Sequence, residues 1–591
     1  MPFEIERVDF TRQSVDAWAR GDGRNTDWPV VYILDNLHSR RANAAKELPQ
    51  VYVGESRNAV ARMRQHLSSK NKKDLTNLTV VFDGAFNKSA CLDLESQLIG
   101  LLAGDGAYKV LNGNYGVAEG NYYERAVYRE SFREVFEKLA RDGVFSRSIP
   151  EIENSDLFKL SPFKALVPDQ AVAVEGILEG LFQDLRDGVG STTVVQGDPG
   201  TGKTVVGIYL MKLLMDIKNS LPDDDLDSDS RFAEFFVDGS RGLLSKFEIA
   251  LVVPQQSLRD SIKKVFRRTP GLRPEMVLTA FDVGASKKHF DLLIVDEAHR
   301  LNQRANQPSG VQNQKFRQIT EMLFGSDDTS KTQLDWIRAK SNHQIILLDA
   351  AQSVRPADLP TEVLDGLVRA TKATHRHYRL VSQMRVQAGA NYVSYIRRIL
   401  GSSAGQAESA VVVSETFEGY DLRMFESVAE MHAAIREKNA EVGLARLVAG
   451  FAWPWKTKTD RSAYDINVDG VQLRWNSTQT DWIASPKSLD EVGSIHTVQG
   501  YDLNYAGVII GPDLGYDESS NRLFVDRKSY FDKKGKENNA VLGKVYTDDD
   551  LLRFVRNIYA VLLTRGIRGT YVYASDPALR AYLRPFVGRT S

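Results

Sequence analysis

One stretch constrains this chain more than any other: GDPGTGKT at positions 197–204, set between an apolar run at 193–195 and a helical pattern at 205–215. Its glycines, Gly197, Gly200 and Gly202, let backbone N–H groups wrap phosphate oxygens, with Asp198, Pro199 and Thr201 completing the turn. The helix that follows favours anions at its N-terminus. Lys203 is expected to neutralise the charge of the ATP phosphates and Thr204 to hold Mg²⁺ through its hydroxyl. A loop of this kind needs a strand before it and a helix after it, so it commits the chain to an α/β fold.

A second block, LLIVDEAH at 292–299, reads as an apolar strand ending in two acids. It puts Asp296 on the magnesium shell and leaves Glu297 to orient and deprotonate an attacking water. Further short apolar runs at 250–253 and 345–348 alternate with helical patterns, as in a parallel sheet covered on both faces by helices. Another series near 508–510 and 571–573 predicts a further α/β domain.

At 591 residues the chain exceeds one hydrophobic core, and at least three folded units are expected. The single cysteine, Cys91, excludes an intramolecular disulfide and a Cys-based zinc site, and fits a reducing cytoplasm. No leader pattern opens the sequence, and no apolar run is long enough to cross a bilayer, so no membrane partner is expected. The net charge of −1 does not announce a polyanionic partner. Locally, 57–73 carries six Lys or Arg and no acid, whereas 223–229 holds five aspartates in seven residues. The acidic run reads as a solvated loop, away from any nucleic-acid track.

The order of the remaining blocks resembles a superfamily I helicase, in the branch related to Schlafen-type helicases. Gln352 in LLDAAQS resembles that family's γ-phosphate sensor. Arg385 in VSQMR and Arg565 in VLLTRG resemble its two arginine fingers. The run GSIHTVQGYD at 493–502, with Gln499 and Gly500, resembles the block linking the ATP cleft to the nucleic-acid track. Gln170 stands where the family places an adenine-reading glutamine. The resemblance implies two RecA-like parallel-sheet motor domains, at 166–375 and at 376–591, the second with a modest insertion. It also implies nucleic-acid contacts at Thr279, Phe281, His496 and Thr497, although His496 reads equally well as a core histidine. Trp453, Trp455, Trp475 and Trp482, crowded before Gly493, are read as core in preference to base-stacking platforms. Little room for insertions remains between 203 and 296 or between 385 and 493. That spacing points to a translocase or remodelling ATPase more than to a strongly processive helicase.

Near the N-terminus, VVY at 30–32 and YVG at 52–54 resemble the paired strands of the GIY-YIG nuclease family. Val30 replaces the first glycine of that motif, and the connection at 35–49 is longer and more basic than usual. Asn58, Arg62 and His66 recur every fourth residue on a helix whose N-cap is Ser56 or Asn58. Val60, Met63 and Leu67 form its buried face, and Arg62 and His66 project toward the strand tyrosines. Glu95 follows in CLDLESQLIGLL and Asn112 in VLN, while Cys91 reads as a core packer. The resemblance implies a small α/β nuclease domain at 1–145, joined to the motor by a linker at 146–165. There Glu95 holds Mg²⁺ or Mn²⁺, Tyr32 or His66 helps to activate water, Tyr52 positions it and Arg62 clamps the scissile phosphate. The sequence thus reads as an α/β chain in which an ATP-driven motor is fused to a DNA endonuclease. It would act on single-stranded or forked DNA, in defence against foreign DNA or in repair. RNA as the track, an ATP-regulated binding switch, a homo-oligomer and a defence-system partner stay open.

Overall fold

The computed structural model describes residues 3–37, 48–113, 122–220, 231–304, 307, 309–349, 355–401, 414–478, 482–498 and 502–588. The acidic run at 223–229 therefore lies outside the described residues. The chain is a mixed α/β protein that divides into two compact units. One comprises Met1–Glu175, Ile208–Phe247 and Ser261–Met276; the other comprises Gly176–Gly207, Glu248–Asp260 and Val277–Ser591.

The first unit holds strands β1 (Glu4–Asp9), β2 (Val30–Asp35), β3 (Gln50–Ser56), β4 (Asn77–Phe82) and β5 (Lys109–Val110), in the order β1-β4-β2-β3-β5. All pairs are antiparallel except β3 with β5. Every residue of β2 is buried, and its register sets Tyr32 opposite Gly54. Asn58 caps the helix Ala59–Ser68 by accepting the Ala61 N–H at 2.9 Å, while Ser56 Oγ accepts the N–H of Asn58 itself. The helix Lys88–Asp105 buries Cys91, Leu94 and Leu98 and ends at Gly106, whose φ of 74° is the left-handed C-cap conformation.

The stretch at 146–165, expected to be a linker, is folded and packed. It forms the helices Ile149–Glu153 and Asp156–Lys159 against the helix Lys88–Asp105. Ser148 and Glu151 make a capping box, and Ser155 Oγ accepts the Phe158 N–H. Pro150, which reads as a chain breaker, sits in a first helical turn where a missing N–H is tolerated. Asp105 anchors the entry by accepting the N–H groups of Ser146 and Arg147. Gly104 lets the two layers close: a Cβ there would lie 2.7 Å from Ile152 Cγ2.

The second unit holds two larger sheets. One contains β6 (Ser191–Gly197), β7 (Ile249–Val252), β8 (Val277–Leu278), β9 (Phe290–Val295), β10 (Ser341–Leu348) and β11 (His377–Leu380), in the order β11-β6-β10-β9-β7-β8, with every pair parallel. The other contains β12 (Asp421–Met424), β13 (Ala445–Ala449), β14 (Ile466–Val468), β15 (Val471–Trp475), β16 (Glu491–Ser494), β17 (Leu503–Ile510) and a last strand, Gly566–Ala574. It is parallel except for the pair β14–β15. Trp453, Trp475 and Trp482 are buried core residues and Trp455 is partly buried against them, as expected. Among the described residues no helix is long and apolar enough to cross a membrane.

Candidate functional site

The phosphate loop sits where β6 hands over to the helix Lys203–Asn219. Gly200 and Gly202 have φ values of 85° and 78°, which a side chain would strain. A Cβ on Gly200 would also collide with Gln383 Oε1. Lys203 is 7% exposed; its ammonium donates to the carbonyls of Gly197 (2.7 Å) and Asp198 (3.0 Å) and lies 3.9 Å from Asp349 Oδ2. The Thr204 hydroxyl donates to Asp296 Oδ2 at 2.8 Å, which joins the helix start to the end of β9.

Asp296 and Glu297 are neighbours with opposite behaviour. Burial, with Glu297 beside it, pushes Asp296 well above the ordinary carboxylate range, against the Thr204 bond and Lys203. Burial also works to raise Glu297, but His299 and Lys203 outweigh it and hold its carboxyl well below the usual range. His299 Nε2 lies 3.0 Å from Glu297 Oε2, at hydrogen-bond distance but short of hydrogen-bond alignment. A hydroxyl next to a buried carboxylate that lacks a full counter-charge suits a hard divalent cation, so Thr204 and Asp296 fit Mg²⁺. The left-handed glycines and Lys203 fit nucleotide phosphates.

The chain beyond β11 closes on this loop. Gln383 Nε2 donates to the Pro199 carbonyl at 2.7 Å and the Met384 N–H to the Gly200 carbonyl at 2.9 Å. Arg385 donates to the Asp502 carboxylate. Arg397, on the helix Gly389–Ile399, donates to Asp198 Oδ1 at 2.7 Å. Arg565 is 2% exposed; burial, then Arg385, lowers it to about 9, with Asp502 and Glu297 opposing. Both arginines proposed from sequence are therefore in one electrostatic cluster with Glu297.

Sequence reasoning missed Asp349, Gln383 and Arg397. Asp349 follows β10 as Asp296 follows β9, so a carboxylate at a strand end was its available signal. Arg397, next to Arg398 in a helix that also carries Asn391 and Ser394, reads as a surface charge and gave none.

The remaining residues are less informative. Gln352, Gln499 and Gly500 lie outside the described residues, as does the side chain of His496. Thr497 is 2% exposed with its hydroxyl 3.0 Å from Ser494 Oγ, so its side chain offers no open surface in this state. Thr279 caps the helix Ala280–Ala285 in a capping box with Asp282. Phe281 packs edge-on against Trp336 at 5.5 Å between centroids, with Lys315 over its ring. Gln170 is buried in the first unit, its amide oxygen accepting the Val167 N–H at 3.2 Å.

A second cluster lies in the first unit. Tyr32 Oη is 2.7 Å from His66 Nε2, and the Tyr52 and His66 rings meet edge-on at 5.2 Å. Arg62 is within hydrogen-bonding reach of both phenols. Burial pushes Tyr32 well above its ordinary range and Tyr52 up to about 12, and Glu95 adds to both shifts. Burial, then Lys72 and Arg62, lowers His66 to about 2, so it is neutral at any working pH. Tyr32, Tyr52, Arg62, His66 and Glu95 are thus brought together. A Cβ on Gly54 would collide with the Tyr32 phenol. Asn112 grips β3 from beyond β5, accepting the Val53 N–H at 3.0 Å and donating to its carbonyl at 2.7 Å. Among the described residues no group of three His, Cys, Asp or Glu forms a closed metal cage. Glu95 alone fits Mg²⁺, which commonly keeps several waters beside one carboxylate and substrate phosphates.

Residues 190–576 match the family described as Schlafen group 3, DNA/RNA helicase domain. The uncharacterized protein YPL245W of Saccharomyces cerevisiae is 27% identical over 421 residues, 66% of this chain and 84% of the yeast protein. The matched region begins at β6 and takes in the phosphate loop, the Asp296–Glu297 strand end and both arginines. The chain belongs to the Schlafen group 3 DNA/RNA helicase-domain family.

Proposed function

We propose that the chain is an ATP-driven nucleic-acid translocase fused to a metal-dependent GIY-YIG endonuclease, acting on DNA in the cytoplasm. In this reading 1–145 is the nuclease, 146–165 connects it, and 166–375 and 376–591 are two RecA-like motor domains. The observation that carries the motor is the meeting of Lys203, Thr204, Asp296 and Glu297 with Arg385 and Arg565 in one cluster.

The chemistry follows from the charges. Glu297 stays ionised and is the base for the attacking water. Arg385 and Arg565 supply positive charge where the transferred phosphoryl group develops negative charge. Lys203 exchanges the carbonyls of Gly197 and Asp198 for phosphate oxygens. Bound Mg²⁺ supplies charge neutralisation on phosphate oxygens at both centres. In the nuclease, Arg62 clamps the scissile phosphate and Tyr52 positions water. The compact cluster of Tyr32, Tyr52, Arg62, His66 and Glu95 supports this half of the reading.

Wild type, Lys203→Ala and Glu95→Gln are compared for ATP hydrolysis and for cleavage of single-stranded DNA, forked DNA and RNA. Lys203→Ala is expected to lose ATP hydrolysis by about 10²-fold or more, and Glu95→Gln to lose cleavage while keeping ATP hydrolysis. ATP turnover with no cleavage of any substrate by wild type would replace the nuclease with a binding switch. Cleavage confined to RNA would move the track to RNA.

A further inference from the structure

The stretch at 261–273 carries five Lys or Arg and no acid. It includes the last turn of the helix Gln256–Arg268, where Arg267 is exposed and Arg268 half-buried. The Arg268 guanidinium lies against Gly106, the left-handed residue that ends the helix Lys88–Asp105; a Cβ there would stand 3.5 Å from Arg268 Cζ. Arg147 is fixed at the same corner, because its N–H donates to Asp105 Oδ1 at 3.0 Å, and it is exposed. Ser261 ties the basic stretch to Asp156, its hydroxyl donating to Oδ2. All of these residues belong to the first unit.

Three guanidinium groups thus meet without a counter-charge. Among the described residues, the side chains of Arg147, Arg267 and Arg268 make no hydrogen bond and no ion pair. Glu151 feels the charge of Arg147 but is bound by the N–H and hydroxyl of Ser148, at 2.8 and 2.7 Å. Burial, then Arg147 and Arg267, holds the Arg268 guanidinium below its ordinary pKa, so both charges that act on it are repulsive. Helix C-termini favour cations. That accounts for Arg267 and Arg268 but not for a third arginine brought up to them from another element.

We propose that Arg147, Arg267 and Arg268 form a binding surface for the sugar-phosphate backbone of a nucleic-acid strand, outside the nucleotide and nuclease centres. It rests on the nucleic-acid reading of the proposed function, which assigns nothing to this corner. Guanidinium groups match phosphate oxygens with paired donors. A single small anion relieves one arginine, whereas a strand presents a phosphate to each. The groove of about 600 Å³ that also borders Arg147 has Glu137 and Glu151 in its walls, which repel a backbone, so the strand belongs on the arginines. Glu95 stands about three turns before Gly106 on one helix, roughly 16 Å along its axis. The corner therefore contributes affinity, not chemistry.

Anisotropy titrations of the full chain with fluorescent oligothymidine and oligouridine of about 30 nucleotides, without divalent metal, are the test. Combined Arg147→Gln, Arg267→Gln and Arg268→Gln is expected to weaken both by on the order of 10²-fold at about 50 mM salt. The slope of log affinity against log salt should flatten by about 2, roughly 0.7 for each lost phosphate contact. Replacing all three by Lys keeps the charges and is expected to keep the wild-type slope, which a merely structural role would not. Arg147→Gln with Arg267→Gln leaves the packed Arg268 in place and should still flatten the slope by about 1.4. ATP hydrolysis without nucleic acid should stay at the wild-type level throughout. In a wild type that cleaves, the Gln variants should raise KM and leave kcat unchanged, as loss of uniform binding does. Unchanged affinity and slope in the double and triple Gln variants overturn the proposal, while the motor and nuclease readings stand. Undiminished oligonucleotide binding with lost binding of a poly-glutamate peptide assigns the corner to an acidic protein and also overturns it. A wild type that binds neither oligonucleotide defeats the nucleic-acid reading itself, and the corner's ligand with it.

Discussion

Arg397 reaches from the helix Gly389–Ile399 to the phosphate loop and donates to Asp198 Oδ1 at 2.7 Å. Its other terminal nitrogen lies 3.8 Å from Asp349, which is itself 3.9 Å from Lys203. Two cations from different parts of the chain thus share one buried carboxylate beneath the loop. In the proposed function, nucleotide phosphates entering the loop would meet positive charge already held in place by Asp198 and Asp349.

That network predicts measurable coupling between Asp198 and Arg397. In a double-mutant cycle of Asp198→Asn and Arg397→Met, urea denaturation of the nucleotide-free protein should give a coupling of about 0.5–1 kcal/mol. The low end is expected because the Asp198 side chain is 38% exposed, where solvent screens the pair. Strictly additive effects of the two substitutions would show that the pair contributes nothing to stability.

Gly54 provides a sharper steric prediction. It pairs with Tyr32 across β2 and β3, and any Cβ would run into the Tyr32 phenol. Gly54→Ala should therefore cost about 1–3 kcal/mol through overpacking and displace Tyr32 from His66. Calorimetry should register the lower stability, and cleavage should fall while ATP hydrolysis is retained. A fully stable variant with normal cleavage would mean that the Tyr32–His66 geometry is not what the centre uses.

How legible these features were depended on how local their cause is. The phosphate loop and the strand ending at Asp296 are contiguous, so eight residues in each case specify both the backbone and its chemistry. The helical spacing of Arg62 and His66 also sufficed to aim them at the strand tyrosines. Arg397 was opaque because its role comes from a helix docking on a partner far away in the sequence, which no periodicity encodes. The region at 146–165 was misread for a different reason. Ser, Pro and Glu mark loops by composition, yet Ser148, Pro150 and Glu151 build the first turn of one helix and Ser155 caps the next.

The single cysteine offers a direct report on the first unit. Cys91 is wholly buried on the helix Lys88–Asp105, and burial, with Glu55 and Glu95 adding to it, drives its thiol far above the ordinary range. A buried thiol that does not ionise reacts poorly with alkylating reagents. Native protein at about pH 8 should remain unmodified by iodoacetamide over a period in which urea-unfolded protein is fully labelled, as read by intact mass. Rapid labelling of native protein would show that this helix opens readily.

A last prediction concerns pH. Asp513, which follows β17, is buried with Oδ1 accepting the Tyr559 hydroxyl at 2.6 Å; Oδ2 has no partner among the described residues. Tyr559 in turn accepts the Gly511 N–H at 2.9 Å. Burial pushes the carboxyl up to about 7, with the Tyr559 bond opposing. Its unfolded value is about 3.9. Between these values the folded state binds a proton that the unfolded state has released, so stability falls as pH rises through that window. Above the folded value the penalty is complete. Asp513→Asn removes the titration, although its amide N–H groups face the position that Oδ2 leaves unpaired. The stability of the variant relative to wild type should therefore rise between about pH 5 and about pH 8, by on the order of 2 kcal/mol. Chemical denaturation at both values measures it. Parallel pH profiles for the two proteins would mean that Asp513 titrates normally and that water reaches it.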